Sequence, residues 1–144
     1  MTPDVNILVA ASRSDHPHYT QAFVWLNSAL DLAEEGQSLL ILPMVASGFF
    51  RLSTHPKVFS QPMPYLSARA FIRAVLDSPG VVMPTLGKEW ALFEAICEQH
   101  ALVGNDIPDA WIAAAVLANH DHLASFDRGF LRFLKPGQFT LLEP

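Results

Sequence analysis

Three aspartates, Asp4, Asp109 and Asp127, are the residues whose types and placement could carry chemistry. Asp4 enters the apolar run VNILVA, Asp109 leads the alanine-rich stretch AWIAAAVLANH, and Asp127 closes HLASFD. In an open α/β architecture, strand edges and helix starts bring residues distant in sequence into one crevice. Carboxylates gathered there repel one another unless a bound cation holds them. That is the chemistry of a Mg²⁺ or Mn²⁺ site acting on phosphate esters, in which hard oxygen donors hold an ion that acidifies a water.

Neighbouring polar residues complete the candidate site. Asn6 lies two residues after Asp4 and Ser125 two before Asp127, so on extended strands each pair shares a face. Asn6 would then orient Asp4 through a hydrogen bond. Ser125 would orient a water or a carboxylate, or simply cap its strand. Asp106, three residues before Asp109, serves equally as a helix N-cap or as a further acid. Each aspartate also has a plain reading: a terminal turn for Asp4, a helix-start acid for Asp109, and a turn residue satisfied by Arg128 for Asp127. The coincidence of all three favours a site.

Other polar residues carry less. His16 and His18, like His120 and His122, stand one residue apart without an HExxH pattern or a cysteine set, and read as loop residues rather than zinc ligands. Arg13, Arg51 and Lys57 are candidates for phosphate contact, and each also fits a plain surface charge. Trp25, Trp90 and Trp111 fall on helical stripes and read as core or interface aromatics. No glycine-rich phosphate loop follows the first apolar run, which argues against a nucleotide-binding regulatory domain.

The elements that must position these residues follow from hydrophobic pattern. Val5 to Ala10 reads as a central strand, Leu39 to Leu42 as a second, Val81 to Pro84 as a third, His122 to Ser125 as a fourth, and the segment FTLL as a fifth. Between them lie helical stretches: one through Tyr19, Phe23, Leu26 and Leu30 that ends near Gly36, one before Pro56, and one from Ser67 to Leu76. Two more run over Lys88 to His100 and from Asp109 to Asn119. Strands separated by helices imply right-handed crossovers and a parallel, three-layered α/β/α arrangement.

At 144 residues the chain is sized for one domain spanning 1–144. With 51% hydrophobic and 16% charged residues it is apolar enough for buried parallel strands and an additional interface. No apolar run reaches membrane-spanning length, and the N-terminus lacks the basic segment of a secretory signal. The single cysteine, Cys97, excludes an intrachain disulfide and fits a reducing, cytoplasmic setting. A net charge of −5 argues against broad coating of nucleic acid. It does not argue against a nuclease, because a bound divalent cation would offset part of that charge.

At the three aspartates the chain resembles a PIN domain, more narrowly a VapC-type toxin of bacterial toxin–antitoxin pairs. DVNILVAA resembles the family opening D-x-N-x-L-V-x-A, PDAWIAAAVLANH its helix beginning Asp-Ala, and LASFDRGFLRF its strand-end Ser-x-Asp with a downstream Phe. The resemblance covers nearly the whole chain. It implies a three-layer PIN-like fold with a central parallel five-stranded sheet of order 3-2-1-4-5. It further implies Mg²⁺- or Mn²⁺-dependent RNA cleavage leaving 3′-hydroxyl and 5′-phosphate ends, a homodimer, and a cognate antitoxin. Asp4, Asp109 and Asp127 would be the catalytic and metal-binding acids, with Asn6, Asp106 and Ser125 in support. One family feature is missing. The glutamate of the helix after the second strand would fall about Ser47, Gly48 or Phe49, and Asp106 is the substitute to consider. That departure motivates an alternative: a catalytically weakened member acting mainly by partner binding.

Overall fold

Asp4 ends a strand and begins a helix, and this switch arranges the rest of the chain. The computed structural model describes residues 1–143. Strand β1 (Thr2–Pro3) pairs in parallel with β4 (Leu123–Ser125), Thr2 opposite Leu123 and Pro3 opposite Ala124. The Asp4 N–H extends that pairing by donating to the Ala124 carbonyl at 2.9 Å. Helix α1 (Val5–Ala11) starts immediately after, so the expected central strand over Val5 to Ala10 is corrected to a helix. Ile7 to Ala11 are all buried. A short run that is apolar on every side has no period to separate strand from helix. The acid ahead of it is what marks a helix start.

The remaining helices fall close to where their periodicity places them. Helix α2 (Tyr19–Glu34) buries Ala22, Leu26, Ala29 and Ala33. It closes at Gly36, whose φ of +106° lets the Gln37 N–H reach back to the Leu32 carbonyl at 2.9 Å. After β2 (Leu39–Leu40), Pro43 opens α3 (Pro43–Ser53), where its missing N–H costs nothing. Helix α4 (Tyr65–Leu76), β3 (Val81–Val82), α5 (Trp90–Gln99) and α6 (Asp106–Ala118) follow. Beyond β4, 3₁₀ turns over Arg128–Arg132 and Pro136–Gln138 lead to β5 (Phe139–Leu141). No helix of the described residues is long and apolar enough to cross a membrane.

The single five-stranded sheet of order 3-2-1-4-5 does not form. The strands make two small parallel sheets, β1–β4–β5 and β2–β3, within a three-layer α/β/α arrangement. Two main-chain bonds join the starts of β2 and β1, from the Leu40 N–H to the Met1 carbonyl at 2.7 Å and from the Met1 amino group to the Ser38 carbonyl at 3.0 Å. Strands of two or three residues exchange too few bonds to hold a sheet by themselves, so packed helices supply the core. Helix α1 lies at its centre against α2, α3 and β4. Ile7, Leu8, Leu39, Val45, Phe49 and Leu123 are fully buried around it.

Gly80 shows how tightly the second sheet is seated. Its φ is +78°, and a Cβ there would lie 2.0 Å from the Ala33 carbonyl oxygen at the end of α2. Gly80→Ala is expected to destabilise the fold by about 2–4 kcal/mol, from left-handed strain and overpacking together. Gly36→Ala, with positive φ but nothing within 4 Å of its Cβ, should lose only the strain component, about 1–2 kcal/mol. Urea unfolding of both variants measures the difference, and equal losses would remove the role of the close approach.

Candidate active site

Parallel pairing of β1 and β4 carries their C-terminal ends to the same edge, which brings Asp4 beside Ser125. The buried Asp4 carboxylate accepts from the Val5 N–H at 2.7 Å through Oδ1 and from the Ser125 hydroxyl at 2.6 Å through Oδ2. Ser125 is itself fully buried. Its oxygen accepts from Asn6 Nδ2 at 3.1 Å and from the Asp127 N–H at 2.9 Å. One donated and two accepted bonds exhaust a hydroxyl. Asn6 thus meets Asp4 through Ser125 and not along a shared strand face, because it stands in the first turn of α1.

Asp127 follows β4 and caps the 3₁₀ turn, its Oδ1 accepting from the Gly129 N–H at 2.7 Å. Asp109 arrives on the first turn of α6, the helix that leads into β4 and so starts at the same edge. Its carboxyl is pushed up to about 6, first by burial and then by the charges of Asp4 and Asp127, with Arg132 opposing. Asp4 is raised as well, chiefly by burial against its two hydrogen bonds, with the Asp127 charge adding to the rise. The three sequence-predicted acids therefore sense one another. Asp106 adds a smaller like-charge contribution at Asp109 but is directed elsewhere. It is the first residue of α6, the N-cap being Asn105, and it makes an exposed ion pair with Arg132 at 3.4 Å.

Asp4, Asn6 and Asp109 line a cavity of about 590 Å³ whose other walls come from α3, α5 and α6. Asp127, Ser125 and Asp106 do not line it. Among the described residues, no three His, Cys, Asp or Glu side chains stand close enough together to hold a metal ion.

No protein-family model matches the chain. Ribonuclease VapC31 of Mycobacterium tuberculosis is 32% identical to it over 131 residues, 90% of this chain and 90% of that protein. Ribonuclease VapC43 of the same organism is 34% identical over 131 residues, covering 90% and 87%. The chain belongs to the PIN-domain VapC family. A crystal structure of VapBC2 from Rickettsia felis bound to a promoter DNA fragment superposes with a TM-score of 0.65 at 19% identity. The match covers 99% of this chain and 98% of that one, and at that identity it speaks for the fold alone.

Within this VapC fold, the three positions considered for the missing glutamate differ sharply. Phe49 is fully buried in the core, whereas Ser47 and Gly48 line the cavity. Gly48 packs so closely on α1 that a Cβ would lie 2.8 Å from Val5 Cγ2. Ser47 is left as the side chain facing the cavity from that turn.

A buried acid that sequence reading missed is Glu89. It accepts from the Gly87 N–H and from Trp111 Nε1, the latter at 3.1 Å, and so fixes an aromatic wall of the cavity. Burial pushes its carboxyl up, but these N–H donors outweigh it and hold the group below the usual range. Its partner lies 22 residues away, so no local pattern signals the pairing. The histidine pairs make no zinc site. His18 donates its N–H to His16 Nδ1 and stacks on Phe126, while His122 is bound to Gly137 and Thr140 of the last strand region.

Two outcomes follow from this geometry. Ser125→Ala leaves the buried Asp4 oxygen without its donor and should cost about 1–3 kcal/mol in urea unfolding at pH 7.5. Because burial raises the Asp4 carboxyl above its ordinary value, the loss should shrink as pH is lowered and Asp4 takes up a proton; equal losses at every pH would sever Ser125 from the Asp4 charge. For Asp109 the sign is the reverse of an ordinary salt-bridged acid. Its folded pKa lies above the unfolded value, so the native state binds the proton more tightly and gains stability as pH falls through about 6. In EDTA the thermal midpoint should rise from pH 7.5 to 5, and Asp109→Asn should flatten that rise.

Proposed function

We propose that this VapC-family protein is the toxin of a toxin–antitoxin pair and a metal-dependent endoribonuclease, cutting RNA phosphodiester bonds at Asp4, Asp109 and Asp127. The observation that carries the reading is that Asp4 and Asp109 line one cavity while Ser125 ties the Asp127 backbone to Asp4, so that the charges of Asp4 and Asp127 help lift the Asp109 carboxyl. A divalent cation relieves such repulsion. The relatives named as ribonucleases support the same chemistry.

The donors suit Mg²⁺ or Mn²⁺, being hard oxygens, and Mg²⁺ is commonly held by one or two carboxylates completed by waters and substrate phosphates. Asp4 and Asp109 would hold it from the cavity wall, with Asp127 as the third acid. When bound, the ion acidifies a water and offsets charge on the phosphoryl group. The chain's own residues do the rest. Ser125 and the Val5 N–H fix both oxygens of Asp4, and Asn6 fixes Ser125. The Asp109 side chain accepts no hydrogen bond from the protein among the described residues, which leaves both its oxygens for an ion or a water. A homodimer and an antitoxin covering the crevice belong to this reading.

A second reading is a catalytically weakened member that acts mainly by partner binding. It is favoured by the acid spacing as it stands, which groups no three metal-binding side chains, and by Ser47 where the family glutamate was sought. On that spacing alone the second reading is the better supported. The first requires the ion and a substrate phosphate to close the set.

Incubation of antitoxin-free protein with a mixed cellular RNA pool in Mg²⁺, Mn²⁺ or EDTA separates them. The nuclease reading expects discrete metal-dependent cuts, reduced about 10²-fold or more by Asp4→Asn and by Asp109→Asn. Near-parental cleavage by both folded variants would sink the proposed site. No cleavage by the folded parent in any metal would favour the second reading.

A further inference from the structure

We propose that Arg51 holds a backbone phosphate of the RNA that enters the cavity. The inference rests on the nuclease reading and adds to it a protein cation that lines the cavity itself. Arg51 stands in the last turn of α3 and is the only Lys or Arg among the residues lining the 590 Å³ cavity, which also presents Asp4 and Asp109. Among the described residues it makes no ion pair and no side-chain hydrogen bond. Lys57 also makes no ion pair among the described residues but does not line the cavity, and several other arginines are already committed. Arg13 is bound to Asp15 at 2.7 Å and lies over the Phe59 ring, while Arg73, Arg128 and Arg132 are each paired with an acid. A guanidinium in an acid-bearing cavity, exposed and uncommitted, keeps its charge and all its donors for a ligand.

Ser47 lies four residues before Arg51, one turn back on the same helix face. Where the resemblance sought a carboxylate, this wall instead carries a neutral hydroxyl followed by a positive charge. That exchange suits a polyanion. RNA approaching Asp4 and Asp109 meets like charge, on a chain already at −5. The planar fork of an arginine meets phosphate oxygens in two parallel bonds, which a lysine cannot reproduce. The cavity volume lies within the roughly 300–1,000 Å³ of ordinary ligand sites. It therefore admits nucleotide units and not a folded partner. Trp111, tethered by Glu89, and Phe93 give the same cavity aromatic walls against which a base can rest.

The test compares the parent with Arg51→Ala and Arg51→Lys, after confirming that thermal midpoints match. Binding of labelled single-stranded RNA is followed by fluorescence anisotropy in Ca²⁺ and in EDTA at 50 to 200 mM salt, beside cleavage rates in Mg²⁺ and Mn²⁺. Loss of one phosphate contact should weaken binding about tenfold and reduce the slope of log affinity against log salt by about 0.7. Arg51→Lys should restore the slope and only part of the affinity. In cleavage, Arg51→Ala should raise KM far more than it lowers kcat. An unchanged slope and KM, or a parent that binds no RNA, overturns the proposal. So does a loss confined to binding of an acidic partner peptide. A parent that cleaves RNA while Arg51→Ala behaves identically removes Arg51 and leaves the nuclease reading standing. A parent that never cleaves but loses its RNA slope in Arg51→Ala removes that reading and leaves Arg51.

Discussion

The hydrogen bond from the buried Ser125 hydroxyl to Asp4 joins residues 121 positions apart, and the site depends on it. It can form only if β1 and β4 pair in the observed register, with Pro3 opposite Ala124. It also requires that the chain turn into helix α1 directly after Asp4, so that the carboxylate points back at β4. The same hydroxyl receives the Asp127 N–H and the Asn6 amide. One saturated oxygen therefore fixes the entry of α1, the exit of β4 and the path to Asp127. A buried polar centre of this kind is worth having only when every bond is made, since each missing partner leaves an unsatisfied group in a low-dielectric interior.

Two buried carboxylates in this protein are pushed in opposite directions. Glu89 and Asp4 each accept two hydrogen bonds and each suffer desolvation. Glu89 ends below the usual range because its N–H donors prevail. Asp4 ends above it because burial outweighs its bonds and Asp127 adds like charge. Asp109 completes the pattern, lifted by the same neighbours. A stability-driven fold places acids as Glu89 is placed. The cost accepted at Asp4 and Asp109 supports the site proposed above.

The division of the strands into two small sheets is compatible with this site because little of the site relies on the sheet. Asp4 needs one register of two residue pairs, and Asp109 needs the start of α6. The second sheet, β2–β3, sets α3 in place, and α3 brings Ser47 and Arg51 to the cavity. Packing of α1 against α2 and α3 then fixes the distance between the acidic edge and the basic wall. The helices carry the core, and strand ends and helix starts place the candidate acids.

The sequence by itself determined which side chains could do chemistry. Asp4, Asp109 and Asp127 were identifiable because carboxylates bordering apolar segments are conspicuous, and Asn6 and Ser125 because they stand two residues away. Helices with one apolar face, such as α2, were equally legible, since periodicity encodes a buried stripe. The segment Val5–Ala11 was not, because burial on all sides erases the period. Asn6 and Asp4 do meet, but by a helical turn and a serine and not along a strand. Only tertiary structure decided that the strands split into two sheets, that Asp106 turns outward to Arg132, and that Glu89 holds Trp111. It also decided that Arg51 lines the same cavity as Asp4 and Asp109. Those outcomes depend on pairings between residues far apart in the chain, whose burial and partners no local pattern records.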